Sequence, residues 1–377
     1  MKHNLFALCL VAIGMLCNTS AFGDNHPRTS VLLDKGWGYK PLTDNKKNAP
    51  LIPVTLPHTW NAGYVEGTTH YNREMMVYKR QLEMTPEMKG KRLFLYFEGV
   101  NSAADVFVNY QTVGQHLGGY TAFCLEITDF VHEGDNSLEV WVSNAYRTDI
   151  LPISGDFNIY GGIHRPCHLI ITEKNCISPV FYASPGVFVR QDKITEKQAD
   201  ITVESVLSLK EMKEGLKLKT TVMDADGKVV ASEETAVSGE SVKQPLRLLN
   251  PTLWNGKKNP YLYSVSVELY EGDRLLDKVT QQTGFRYFHA DPDKGFFLNG
   301  EYLNLYGFCR HEDVKGKGSA LHQEDYDKDM ELIKEVGATA MRLAHYPHAE
   351  PMYKSCDENG ILCLLYTSDA ADDLIGV

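Results

Sequence analysis

The chain has 377 residues, of which 43% are hydrophobic and 23% charged. That balance excludes wholesale disorder, a collagen helix and a coiled coil, and the length accommodates two or three domains of about 100–200 residues each. Acidic residues outnumber basic ones by 49 to 38, for a net charge of −11; no Lys/Arg block offsets this, so electrostatics argue against a nucleic-acid partner.

Taken in chain order, Lys2 precedes an apolar run from Leu5 to Cys17 and small residues ending in Ala21-Phe22-Gly23, the pattern of a signal peptide over 1–23. The run is shorter than the roughly 18–20 apolar residues of a spanning helix, and no later stretch qualifies. No membrane span is expected, and the mature chain is expected to be exported, either periplasmic or secreted. The other cysteines, Cys124, Cys167, Cys176, Cys309, Cys356 and Cys363, show no C-x-x-C pair and no metal-ligand spacing, so neither zinc nor a disulfide framework is expected.

Between 37 and 172 the sequence alternates apolar and polar residues in short runs, at 76–82, 92–97, 104–108 and 137–142. Such period-two segments predict half-buried antiparallel strands and a β-sandwich. The stretch 177–285 repeats the habit, with runs at 201–203, 216–223 and 228–231 and an Asp224-Ala225-Asp226-Gly227 turn. It reads as an immunoglobulin-like sandwich. After Phe285 the texture changes to alternating strands and helices. Strands are expected at 302–308 and 338–344, helices at 323–336 and 350–359 with Gly360 at the C-cap, and a third strand from Ile361. This order implies a parallel sheet, in a barrel or a doubly wound fold. The absence of G-x-G-x-x-G disfavours the nucleotide-binding version.

Two of these strands run into polar clusters. The first ends in Arg310-His311-Glu312-Asp313; the second carries Arg342 and leads into His345-Tyr346-Pro347-His348. In a (β/α)₈ barrel the carboxyl ends of the strands form the active site, so both clusters would face one pocket. The alternative is that the histidines cap helices or bond locally.

Several landmarks occur in a fixed order: Leu56-Pro57-His58-Thr59-Trp60-Asn61, Gly99-Val100-Asn101-Ser102-Ala103, Gly155-Asp156-Phe157 through Gly162-Ile163, Leu253-Trp254, Gly284-Phe285-Arg286, Arg310-His311-Glu312 and Arg342 to Pro347. In these the chain resembles glycoside hydrolase family 2, the β-galactosidase and β-glucuronidase group, from Trp37 to Leu362. The resemblance implies a jelly-roll sugar-binding domain over 24–175, an immunoglobulin-like sandwich over 176–285 and the start of a catalytic TIM barrel over 286–362. It also implies that Asn101 and Asp156 reach from the jelly roll to the sugar and that His311 and His345 contact its hydroxyls. Arg342 would lie beneath the pocket floor and hold nearby carboxylates; Glu312 receives no catalytic role.

A retaining glycosidase needs two carboxyl groups about 5–5.5 Å apart. The resemblance places those glutamates, and the Mg²⁺ ligands of related β-galactosidases, beyond residue 362. The chain itself is therefore expected to hold no cofactor and to lack hydrolase activity. Residues 363–377 read as a translated sequencing adapter, with the gene running on. The full-length protein is expected to hydrolyse terminal β-D-galactosides of an oligosaccharide or polysaccharide by double displacement, Asn101 and Asp156 favouring this over β-glucuronidase activity. A non-catalytic carbohydrate-binding protein is the rival of another class. A homo-oligomer is left open for the full-length form.

Overall fold

The computed structural model describes residues 27–42, 49–64, 71–153 and 157–365. The expected signal peptide over 1–23, Asp156 and residues 366–377 lie outside them.

The first domain is a sandwich of two antiparallel sheets. One has four strands in the order Thr29–Leu32, Cys167–Thr172, Arg92–Phe97, Phe123–Glu126; the other has six, with Met75–Met84 and Gly134–Ser143 at its centre. Alternation in these strands sends Tyr78, Leu95, Phe97, Val106 and Val140 into one core between the sheets. The runs expected at 76–82 and 137–142 are longer in the fold, Met75–Met84 and Gly134–Ser143, because paired edges extend past the alternating apolar residues.

The second domain is also a sandwich. Along Gln198–Ser208 every second residue, from Ala199 to Leu207, points inward, meeting Leu218, Val265 and Phe285 in a second core. The Asp224–Gly227 turn forms as read: the Asp224 carboxylate accepts from the Asp226 and Lys228 amides at 3.1 and 2.8 Å. Arg28 locks the two sandwiches together, donating to both oxygens of the fully buried Asp277 at 2.9 and 2.6 Å.

The third domain departs from the expected strand at 302–308. Glu301–Tyr302 instead closes a small antiparallel sheet with Phe288–Asp291 and Gly295–Leu298, and the first barrel strand is Gly307–Arg310. The Asn299-Gly300 turn, with positive φ at both residues, folds the chain back there and starts the barrel later than apolar content alone suggests. Helix α1 (Gln323–Glu335), strand Ala340–Leu343, helix α2 (Glu350–Asn359) and strand Leu362–Leu365 follow. The three strands pair in parallel, with Cys309, Arg342 and Leu364 in one row and Phe308, Met341 and Cys363 in the next. Met341 and Leu343 pack against Met330, Ile333, Met352 and Cys356 of the helices. Gly360 ends α2 with φ +70°, and a Cβ there would lie 2.3 Å from the Gly256 carbonyl carbon, so both the left-handed cap and the contact with the second domain require glycine.

Candidate sugar-facing site

His311 directly follows the first barrel strand and His345 stands two residues past the second, so parallel pairing of the strands brings their ends together. The two imidazoles lie 5.1 Å apart, centroid to centroid, edge to face. Phe157 of the jelly roll covers both, at 5.8 Å from His311 and 5.9 Å from His345, and packs against Tyr346 at 5.3 Å. Tyr346 in turn stacks on Tyr120 of the jelly roll at 3.9 Å. Two domains thus build one aromatic and imidazole cluster.

The loop carrying Phe157 is held by the landmark residues Asn61 and Asn101 and by Asn144. Asn61 accepts from the Gly161 amide at 2.9 Å, and Asn144 donates to the Ile159 carbonyl at 3.0 Å. The Asn101 and Gly162 backbones exchange hydrogen bonds of 3.0 and 3.3 Å. From the barrel side, the Tyr160 hydroxyl donates to Asp313 at 3.1 Å.

The Asn101 side chain is 1% exposed, and neither its oxygen nor its nitrogen has a hydrogen-bond partner. It touches Gly119, where a Cβ would come within 2.2 Å of the amide oxygen, and lies beside the Tyr120 hydroxyl. Tyr120 connects it to Tyr346, whose ring lies 6.2 Å from that of His311. Asp156 lies outside the described residues, next to Phe157 in sequence. Arg342 sits half-buried in the same row as Cys309, donating toward its sulfur at 3.8 Å.

Glu312, one residue past His311, turns the other way and is 1% exposed. One oxygen accepts from Arg165 of the jelly roll; the other accepts from the Tyr326 hydroxyl at 3.0 Å and the Ala349 amide at 2.9 Å. Burial alone would raise its pKa, but the Arg165 guanidinium, His348 and the Ala349 amide bring it down to about 2. A carboxylate buried to this degree, ionised and held by three internal hydrogen bonds, is out of a substrate's reach and fits a structural role. Arg165 also donates to the carbonyls of Tyr120 and Pro347 at 2.8 and 2.7 Å.

The neighbouring histidines have fixed tautomers. An arginine can only donate, so Nδ1 of His348 accepts from Arg310 at 3.0 Å and its Nε2–H donates to the Ala344 carbonyl at 3.2 Å. Burial lowers His348 to about 4, and does the same to His164 under the jelly roll.

Sequence reasoning missed Phe157, Tyr346, Tyr120 and Arg165 as parts of this site. The first two lie inside quoted landmarks, where a ring beside Asp156 or His345 was the available signal; Tyr120 and Arg165 carry none, because only the fold brings them to the barrel. Among the described residues, His322, Glu324 and Asp325 lie close enough to share a metal ion. Asp325 is already engaged there, accepting from Lys317 at 2.8 Å and, as the third residue of α1, from the amide of the N-cap His322 at 2.9 Å in a capping box.

Comparison with known proteins gives a consistent picture. Three family models match consecutively: the sugar binding domain of glycosyl hydrolases family 2 over residues 41–173, a further domain of that family over 185–286, and its TIM barrel domain over 292–369. A β-glucuronidase from Bacteroides fragilis is 44% identical over 342 residues, covering 89% of this chain and 49% of that protein. A β-galactosidase from Thermoanaerobacter pseudethanolicus is 33% identical over 82% of this chain and 42% of its own length. The crystal structure of Bacteroides uniformis β-glucuronidase matches with a TM-score of 0.82 at 32% identity, over 89% of this chain and 42% of that one. The chain thus spans about half the length, or less, of the curated relatives it matches.

Proposed function

We propose, from the premise that this chain belongs to glycosyl hydrolase family 2, that it forms the sugar-positioning part of a β-glycosidase acting on a terminal sugar. The observation that carries this reading is the meeting of His311 and His345 beneath Phe157, a ring supplied by a different domain. An aromatic face packs against the C–H face of a pyranose, while neutral imidazoles can donate to or accept from its hydroxyls. Asn101 and Asp156 would add an amide and a carboxylate from the jelly roll, with Arg342 holding carboxylates under the pocket floor.

Bond cleavage by double displacement needs a carboxyl pair that Glu312 cannot join, and the part of the relatives that this chain does not span is where it would lie. Any Mg²⁺ of the full-length enzyme would likewise be held by residues beyond this chain. The Bacteroides fragilis relative supports a β-glucuronide as substrate. The Asn101 and Asp156 pair, with the Thermoanaerobacter relative, supports a β-galactoside as the second reading. Export through the 1–23 segment remains part of the proposal, checked by N-terminal sequencing of the mature protein.

The test is turnover by the full-length protein of 4-nitrophenyl β-D-glucuronide and β-D-galactoside. Release of nitrophenol from either, with retention at the anomeric carbon, is expected, and the higher kcat/KM names the sugar. Absence of turnover on both would overturn the reading.

A further inference from the structure

We infer that Tyr160 is a positioning residue: through its hydroxyl and Asp313 it latches the jelly-roll loop to the barrel and so sets Phe157 over the histidine pair. The inference rests on the glycosidase reading above and deepens it, because it says what holds the sugar-facing ring in place.

Phe157 and the two histidines come from different domains, and the bonds that fasten the loop to its own sandwich do not align it with the barrel. The Thr59 hydroxyl donates to the Gly161 carbonyl at 2.7 Å, and the Asn101 and Gly162 backbones pair. These fix the loop beyond Phe157, at Gly161 and Gly162. Tyr160 stands between. Its hydroxyl donates to Asp313 Oδ2 at 3.1 Å and accepts from Asn158 Nδ2 at 3.4 Å. A phenol has one proton to give and an amide nitrogen only donates, so the direction of both bonds is fixed. One oxygen therefore joins the residue after Phe157 to the residue two past His311.

The barrel side offers a firm seat. Residues 314–318 form a turn closed by reciprocal Val314 and Gly318 backbone bonds of 2.9 Å, and Lys317 ties it to Asp325 of α1 with two bonds of 2.8 Å. Gly318 has φ +57°, and a Cβ there would lie 2.8 Å from the Tyr160 ring and 3.2 Å from the Thr59 methyl. The ring thus rests flush on the turn while its hydroxyl reaches Asp313. Packing alone lets a ring slide; a directional bond fixes where it stops. A loop freed from that bond samples positions in which Phe157 no longer covers the imidazoles, and a substrate must select the covered one. Apparent affinity then falls with the covered fraction, while turnover at saturation is kept.

The test uses the full-length protein and whichever 4-nitrophenyl glycoside it hydrolyses. Y160F keeps the ring on Gly318 and removes the hydroxyl; D313A removes the acceptor. Each is expected to raise KM roughly five- to tenfold with kcat within about twofold of wild type. D313N, which retains an acceptor oxygen, should recover part of the loss, and the Y160F/D313A double variant should be no worse than either single one. An unchanged KM in Y160F overturns the inference. So does a D313A defect that exceeds that of Y160F and adds to it, which would put Asp313 on the substrate itself. Should wild type hydrolyse no glycoside, the glycosidase reading fails by itself, and hydrogen exchange followed by mass spectrometry still decides about the latch. Faster exchange across residues 157–163 in Y160F, with strand 92–97 unchanged, supports it; identical exchange in the two proteins refutes it.

Discussion

His311 and Glu312 are neighbours in sequence and belong to opposite kinds of environment. Glu312 faces the seam between jelly roll and barrel, where both of its oxygens accept hydrogen bonds from Arg165, Tyr326 and Ala349. His311 faces a cluster shared with His345 and Phe157. The seam is polar chemistry buried within the protein; the histidine cluster is an aromatic and imidazole face where two barrel strand ends meet the jelly roll. The two residues follow the end of the first barrel strand directly, so the residue that fixes the domain interface also fixes the backbone from which its neighbour projects.

The largest expected effect comes from breaking the seam. Glu312→Gln keeps the shape but leaves Arg165, whose side chain is 3% exposed, as a buried charge without its anion. Removing one partner of such a pair costs about 3–5 kcal/mol, so a marked drop in the urea midpoint is expected. An enzyme that kept its full stability but lost kcat would instead make Glu312 catalytic and erase the contrast between the two environments.

Acid probes the same seam. The folded-state pKa values of His164 and His348 are depressed from 6.5 to about 4, so the unfolded chain binds more protons between those values. Stability from these two groups is complete above pH 6.5 and is lost as the pH falls toward 4, by on the order of 3 kcal/mol for each. Glu312 adds a later loss as the pH falls from 4.5 toward 2. Urea titrations at pH 7.5, 6 and 4.5 should show the first phase, and His348→Gln should remove part of it. A midpoint flat across that range would mean that the buried imidazoles do not control the seam.

How much of this was legible in the sequence differs between the two environments for a physical reason. Strand 92–97, strand 216–223 and helix 350–359 were read to the residue, since each carries its own periodicity and, for the helix, its own glycine stop. The histidine pair was also legible, because equivalent positions past parallel strands must converge. The seam was not. Arg165 and Glu312 are 147 residues apart, and nothing local to either says that the other will be there. The strand at 302–308 failed for a related reason: Leu303, Leu305 and Phe308 supply apolar content, but hairpin pairing to Gly295–Leu298 competes for its first residues.

On the other side of the comparison, His345→Ala removes one imidazole from the cluster without touching Glu312, His348 or Arg165. Loss of a hydrogen bond to a sugar hydroxyl is worth about 0.5–1.5 kcal/mol, or nearer 3 if charge develops on it. We expect kcat/KM of the full-length enzyme to fall tenfold or more with a melting temperature close to wild type. A large fall in melting temperature would place His345 with the seam residues.

The smallest effect is expected at the other joint, between the second sandwich and the barrel, where the ion pair of Lys258 with Glu301 is exposed to solvent and adds little. Trp254 is 3% exposed, its indole N–H donates to the Asp357 carbonyl at 2.8 Å, and Arg286 lies over its ring at 5.4 Å. Trp254→Phe keeps a ring in that place and loses one neutral hydrogen bond, a change worth about 1 kcal/mol. Its urea midpoint should therefore move by much less than that of Glu312→Gln. If the two substitutions cost the same, the stability of the domain joints comes from packing common to both, and the ion pair at Arg165 and Glu312 serves to orient the strand end rather than to hold the domains together.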